Sequence, residues 1–578
     1  MKRLAIWMLC SMLFAVHISA QTEHEIIEHM GDRYVINVDA LKPDKEMTLM
    51  DVLLTCPELL SDNGKRLNSD YEIRIDNVVL VMDDETMLDA LKATEINTIE
   101  IYLYTSVSTG GAGRLGTIDI YLKEQADGAT SGKLQLEGST RGNGKAYADI
   151  ITRTGNVTVR GYALTNLKHI RGTLTDYDWF SSRQATENVH LNIDWNISEN
   201  DNLKIKLFQN FLDSKQRIAV EQGATTDLPE LERYWGGVAC YTHTLNDRGA
   251  TVLAEGGAQY QNMTIEESRQ RDCFAYYFTE ANIPCLNNDL NILAGWEIDY
   301  DNWWIANHDR QQTMYNDLYL QFDYTKGPWV LALGDRLRIV NYWHRAYDTD
   351  DASLWNDSRT EHSYLASVGY KTGGHFVQGL FNRDYYTPQI YSFYVGFNEE
   401  LKRRMYMSDI PTPMVYNVEA RYTYQLADLV VNGSILHTWE SNNVAINEQY
   451  TGVKASATWR KGRLRLTAGA DYYHGHVTSP DNEIDRHNNI FNLRLLPTLL
   501  LDGGLRISSR LLYNSRNNLL IETPSHLFAS VKVSKDLGRH CTMSAYYNDM
   551  VDLPQLSFLQ FGDYYDNRAF GVGFTYRL

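Results

Sequence analysis

The sequence predicts an all-β membrane protein: a closed antiparallel outer-membrane β-barrel of about 22 strands, preceded by a small α/β unit that plugs its lumen. Three observations carry this prediction. The chain opens with an export signal; it breaks after Ser131 into short segments of alternating polarity; and the connections between those segments alternate short and long.

The export signal comes first. Lys2 and Arg3 precede an apolar run over residues 4–18, and Ser19 and Ala20 stand before a polar stretch beginning at Gln21. This is the pattern of a secretory signal peptide spanning residues 1–20, cleaved after Ala20. The run is too short to cross a bilayer as a helix, and Thr22, Glu23, His24 and Glu25 follow it without a stop-transfer flank. Cys10 lies inside the apolar run with no small residues just before it, which argues against lipidation.

After the signal no apolar stretch is long enough for a membrane helix, and the mean hydropathy is −0.39. A barrel passes this test because only alternate residues face lipid. The 38 Tyr and 12 Trp fit interfacial girdles at the ends of such strands. A formal charge of −19, or −21 once Lys2 and Arg3 leave with the signal, argues against nucleic acid as a partner. Five cysteines remain: Cys56, Cys240, Cys273, Cys285 and Cys541. Their spacing fits neither a zinc site nor a disulfide scaffold, and Cys273 with Cys285 reads equally as a bonded pair or as two thiols.

The alternation is sharpest at the C-terminus. Phe570, Val572, Phe574, Tyr576 and Leu578 share one face, while Gly571, Gly573, Thr575 and Arg577 share the other. Val189, Leu191, Ile193, Trp195 and Ile197 repeat the pattern, as do Tyr416, Val418, Ala420, Tyr422 and Tyr424. So do the neighbouring segments over 453–460 and 464–472. One side of each suits lipid and the other a wet or filled interior.

Short, turn-rich connections fall at 154–156, 198–202, 246–249, 325–328, 371–374, 461–462 and 501–504. Between them lie longer polar pieces at 168–187, 213–232, 342–362, 384–413 and 473–489, expected as outward loops. This gives about 22 strands over 131–578, a size for which a plugged lumen is expected.

Residues 21–45 read as a periplasmic tail, and residues 46–125 as the plug. Within the plug, 48–54 reads as a helix start, 71–81 as strands, 86–94 as a helix, and 99–104 and 116–123 as strands. Asp51-Val52-Leu53-Leu54 with Pro57, then Ile73-Arg74-Ile75-Asp76-Asn77, then Ile99-Glu100-Ile101, then Gly110-Gly111-Ala112-Gly113-Arg114-Leu115-Gly116-Thr117-Ile118-Asp119-Ile120 follow one another in order. This order resembles the plug of TonB-dependent receptors, with Asp51, Pro57, Asp76, Glu100, Gly113, Arg114 and Gly116 on the motif positions. Glu58 and Asn77 stand where that family has glycine, and Asn77 can still adopt a left-handed turn. Glu25, Ile26 and Ile27 are the one candidate for the segment that contacts TonB.

Other clusters have plainer readings. Gly110 to Gly116 lacks the lysine of a phosphate loop and reads as a structural turn; Arg114 reads equally as a partner for a lumen-facing acid or as a solvated charge. His474, His476, Asp481, Asp485 and His487 lie close in sequence, and with ligand spacing that matches no familiar metal site they read as solvated. Asp348, Asp350 and Asp351 lack the calcium-loop pattern. Trp303, Trp304, Tyr342, Trp343, His344, Tyr347 and Trp355 are candidate stacking residues for a ligand, against the rival reading of an outer aromatic girdle.

No catalytic constellation is present, and neither an enzyme activity, a metal nor a cofactor is expected. The resemblance implies a cell outer membrane receptor that captures a scarce small solute at its outer loops and imports it when TonB, an inner-membrane energy transducer, pulls on the N-terminal tail. The alternative is a barrel for surface assembly or adhesion, with a passive plug and a surface lipoprotein as partner.

Overall fold

The computed structural model describes residues 26–54, 56, 59, 71–75, 78–79, 84–102, 116–123, 125–174, 177–220, 224–265, 268–305, 309–346, 354–385, 412–441, 447–479, 484–519, 525–548, 561–565 and 568–578. The signal at 1–20 and the segment 347–353 lie outside them.

The N-terminal unit is a six-stranded sheet in the order β1-β2-β5-β6-β3-β4. Its strands are β1 (Ile27–His29), β2 (Tyr34–Asn37), β3 (Tyr71–Ile75), β4 (Val78–Val79), β5 (Ile96–Tyr102) and β6 (Gly116–Leu122), with two short helices, α1 (Leu49–Leu53) and α2 (Asp84–Ala90). The β3–β6 pair is parallel and the rest are antiparallel. α1 starts where a capping box fixes it: the Asp51 amide donates to Thr48 Oγ1, and the Thr48 amide donates back to Asp51 Oδ2. Leu49, Met50, Val52 and Leu53 then bury themselves with Ile36, Val38, Leu88, Leu91, Ile99 and Ile120 in one extensive apolar core. The segment expected as a free tail differs from its reading. Residues 27–37 supply β1 and β2, and Ile26, Ile27, Tyr34, Ile36, Val38 and Leu41 are core residues. Burying that apolar surface outweighs leaving the segment extended.

From Thr130 on, each strand pairs antiparallel with the next. The last stave, Ala569–Arg577, pairs with the first, Thr130–Ser139, from Gly571 against Ser139 to Arg577 against Lys133, and closes the ring. Among the described residues the ring has 22 staves; a further short strand, Phe561–Tyr565, leans on Leu174 and Gly172 outside the closure. Closure leaves no unpaired edge, as a strand structure in lipid requires.

The wall is inverted relative to a soluble protein. Leu136, Ile150, Val189, Leu207, Leu318, Leu333, Val377, Phe570 and Val572 are exposed on the outside, while Gln135, Asn210, Ser214, Asp317, Gln321, Asp471 and Asn492 are buried on the inside. Trp195, Tyr241, Trp329, Tyr370, Trp459 and Tyr576 point outward close to the short-turn ends of their strands and form a girdle there.

The short connections lie where expected, but most of the expected loops are strand. Val157–Leu174 and Tyr177–Asn196 run through 168–187, Asp201–Val220 and Ala224–Thr244 through 213–232, and Leu464–Thr478 and Asp485–Leu501 through much of 473–489. Polar residues mislead at these positions because wall above the membrane is solvated on its outer face yet remains hydrogen-bonded sheet. At about 3.3 Å per residue the longer staves, such as the 21-residue Ala224–Thr244, far exceed a bilayer. Cys273 and Cys285 are free thiols on the single strand Ser268–Cys285, about 40 Å apart, so they do not form a pair.

Candidate functional site

The lumen is closed near the short-turn end by the N-terminal unit, and polar side chains from all round the ring hold it there. At the start of α1 the Asp51 carboxylate accepts from Arg510 (2.9 Å) and Arg506 (3.2 Å), two residues four apart on one stave and hence on one face. Opposing effects act on Asp51: burial favours the neutral acid, but the two guanidiniums and the Thr48 amide hold it far below the usual carboxylate range. Glu46 is buried between Lys92 (3.4 Å) and Arg577, which outweigh its burial and lower it to about 2. Glu95 meets Lys133 (2.7 Å) and Arg160 (3.6 Å), and is lowered by the same balance of burial against cations.

On the other side of the ring, Gln321 donates to Asp32 (2.8 Å), Gln378 donates to the Gly31 carbonyl (2.9 Å), and Gln425 both accepts from the Ile27 amide (3.0 Å) and donates to its carbonyl. Gly31 passes so near the wall that a Cβ there would lie 2.5 Å from that of Ala332. Among the described residues the wall's apolar contribution to the plug core is small: Tyr147, Tyr162, Leu164 and Val430, with Leu496 packed against them and Phe376 stacked on His29. The seating is thus mostly ionic and hydrogen-bonded, the kind of interface that separates without exposing much apolar surface.

Farther along the staves the inner wall forms a polar chamber. Arg336, 2% exposed, bridges Asp317 and Glu297 and lies 5.5 Å from the Tyr319 ring. Arg338 donates to Asp317 (2.7 Å) and stacks over Tyr315 (5.0 Å) and Tyr385 (5.8 Å). Tyr319 donates to Glu280 and Tyr276 to Glu255, each at 2.7 Å. These arginines are already neutralised. Beyond them Asp272, Asp299 and Asp301 each hold one buried oxygen with no hydrogen-bond partner among the described residues. The chamber therefore offers acceptors and tyrosine faces to whatever enters it.

The candidate stacking residues are split by the pleat. Trp303 and the buried Tyr342 share the lumen face, whereas Trp304, with Arg271 at 5.2 Å, and Trp343 point outward. His344 and Trp355 are register partners whose side chains, like Tyr347, lie outside the described residues. Of the candidate TonB-contact segment, Glu25 lies outside them, and Ile26 and Ile27 are buried in the plug core. Of the motif residues, Asp51 anchors the plug, Glu100 pairs with Arg33 (2.9 Å), and Gly116 opens β6; Pro57, Asp76, Gly113 and Arg114 lie outside the described residues. Asp348, Asp350, Asp351 and Asp481 also lie outside them. Sequence reading missed Arg506, Arg510, Arg336, Arg338 and Asp317. The signal available was a cation or acid recurring at even spacing on the face opposite the greasy one.

No family model and no curated protein sequence matches this chain. Its fold is shared with solved structures of transport proteins. The copper transporter OprC superposes with a TM-score of 0.71 at 11% identity, over 95% of this chain and 100% of that one. The siderophore receptor PiuA from Acinetobacter baumannii gives 0.71 at 11%, over 97% and 99%. The ferric yersiniabactin uptake receptor FyuA from Yersinia pestis gives 0.69 at 12%, over 95% and 98%.

Proposed function

We propose that this chain is a TonB-dependent outer-membrane receptor that binds a solute in the outer part of its lumen and imports it when the plug is displaced. The observation that carries this reading is the seating of the plug: an independently cored unit inside a closed 22-stave ring, held by ion pairs and amide contacts rather than by a continuous apolar interface. Such a seat is stable at rest, yet opens without a large hydrophobic penalty when work is done on it. The chamber of Arg336, Arg338, Asp317, Tyr342 and the three acids with an orphaned buried oxygen is the proposed binding region. Its orphaned oxygens and tyrosine faces suit a solute rich in hydrogen-bond donors. That a copper transporter and a siderophore receptor share the fold supports import as the general role.

The test is a deletion of residues 21–25, which leaves the docked β1 intact. Uptake of the solute in cells should fall to the level of a strain lacking TonB, while binding to purified barrel persists. Unchanged uptake overturns energised import. Co-purification with a surface lipoprotein and not with TonB supports the assembly reading instead.

A further inference from the structure

The geometry points to a divalent transition-metal site on the outer wall of the barrel, built by His476, Asp485 and His487 with His474 beside them. It lies apart from the lumen, and nothing in the import reading requires it.

These residues lie on two adjacent antiparallel staves, Leu464–Thr478 and Asp485–Leu501, whose register sets His476 directly opposite His487. Residues two apart on a strand share a face, so His474, His476, Asp485 and His487 all project from the same side. That side is the exterior: Tyr472, Phe491, Leu493 and Leu495 continue it downward as exposed apolar residues, while Asp471, Val477, Ile490 and Asn492 are buried on the other. From Tyr472 to His476 is about 13 Å along the strand, which places the cluster above the greasy band at the outward end of the wall.

The donor geometry is close to what an ion needs. Donors around a tetrahedral ion with bonds near 2.1 Å stand about 3.4 Å apart. Asp485 Oδ1 is 2.9 Å from His476 Nε2 and 3.8 Å from His487 Nε2, and all three donors lie within 4.8 Å of one another. The His476 and His487 rings stack at 3.9 Å and the His474 ring is 5.7 Å from His487. Asn489 Oδ1 accepts from His474 Nδ1 at 3.0 Å and from the Tyr472 hydroxyl at 2.8 Å. This fixes the His474 ring and leaves its Nε2 free as a donor, as outer-shell partners of metal-bound imidazoles do.

The scaffold beneath is stiff. On the lumen side Val477, Ile490 and Leu519 form an apolar cluster with Tyr450, Tyr473 and Ile484 packed against it, and Ser479 and Ile484 bond across the hairpin end. The His487 side chain is 55% exposed and that of Asp485 69%, so the ion enters from solvent and keeps open positions. Two imidazoles or three with one carboxylate select zinc, copper or nickel over calcium and magnesium.

The test is calorimetric titration of the full chain, purified in detergent without a polyhistidine tag and stripped with chelator. Zn²⁺ should bind at one site with a Kd below about 10 µM in excess Mg²⁺ and Ca²⁺, and Cu²⁺ should give a spin-resonance signal split by imidazole nitrogen. His476→Ala and His487→Ala should each weaken binding at least about tenfold, since even outer-shell losses cost that much. His243→Ala, which removes a second exposed His–Asp pair at the short-turn end, should leave binding unchanged. A Kd above about 10 µM for the unmodified chain, or an affinity that survives both rim substitutions, overturns the site.

Discussion

At the residue scale, the plug is held by a few charges whose worth depends on their burial. Asp51→Asn keeps the shape of the side chain and the amide contact to Thr48 while removing the charge that satisfies Arg506 and Arg510. Both arginines are more than three-quarters buried, so the seat should lose about 2–3 kcal/mol, less than a fully buried pair. The buried thiol of Cys56, in the plug core, reports this directly: it should react with a thiol reagent at lower urea in the variant than in the parent. An equal urea dependence contradicts the anchor. Glu46 makes the seat sensitive to pH. Its ordinary value is 4.5 and in the seated plug it is held at about 2, so the unfolded form binds the proton more tightly. The stabilisation is complete above pH 4.5 and is lost as the pH falls toward 2; Asp51 shifts in the same direction. Cys56 labelling by an acid-tolerant disulfide reagent, localised by mass spectrometry, should accelerate across that window, and a flat profile counts against the assignment. The sequence placed Asp51 in a stretch that resembles a plug motif. It could not show the arginines that answer it.

At the scale of elements, backbone approach rather than side-chain chemistry decides the plug sheet. A Cβ on Gly116 would lie 2.0 Å from the Tyr102 carbonyl oxygen and 2.7 Å from the Tyr71 ring, because β6 is wedged between β5 and β3. Gly116→Val should therefore force β5 and β6 apart at a cost above about 2 kcal/mol. The barrel should still insert and shift on heating in gels, while Cys56 becomes reactive without urea. Protection equal to that of the parent would mean the sheet tolerates the bulk. The short turns were legible because Gly, Asn and Asp mark them locally, as at Gly155, Gly327, Gly373 and Gly462 with their positive φ. Strand ends were not, since a polar outer face above the membrane looks the same as a loop. The same misreading placed His476 and His487 on a loop, where their spacing meant nothing; on paired staves it sets them face to face.

At the scale of the whole molecule, the ring is complete without the plug. Every stave from Thr130–Ser139 to Ala569–Arg577 pairs on both sides within the wall, so the barrel does not need the N-terminal sheet for its hydrogen bonds. Deleting residues 26–123 should leave an inserted barrel with a large steady conductance in planar bilayers, and cells carrying it should admit large antibiotics, where the full chain stays closed. A closed pore after that deletion means that other residues block the lumen. A 22-stave ring is wide enough for this, since porins with fewer strands already enclose water.

The sequence by itself determined the strand class, the outward face of the staves with sharp alternation and the tight turns, because a side-chain period of two and turn chemistry are properties of neighbouring residues. The tertiary structure alone decided which inward residues meet. Asp51 and Arg506 are 455 positions apart and Asp32 and Gln321 289, and only closure of the ring around a folded plug brings such residues together. Pairing register and closure are set by contacts remote in the chain, so no local pattern encodes them.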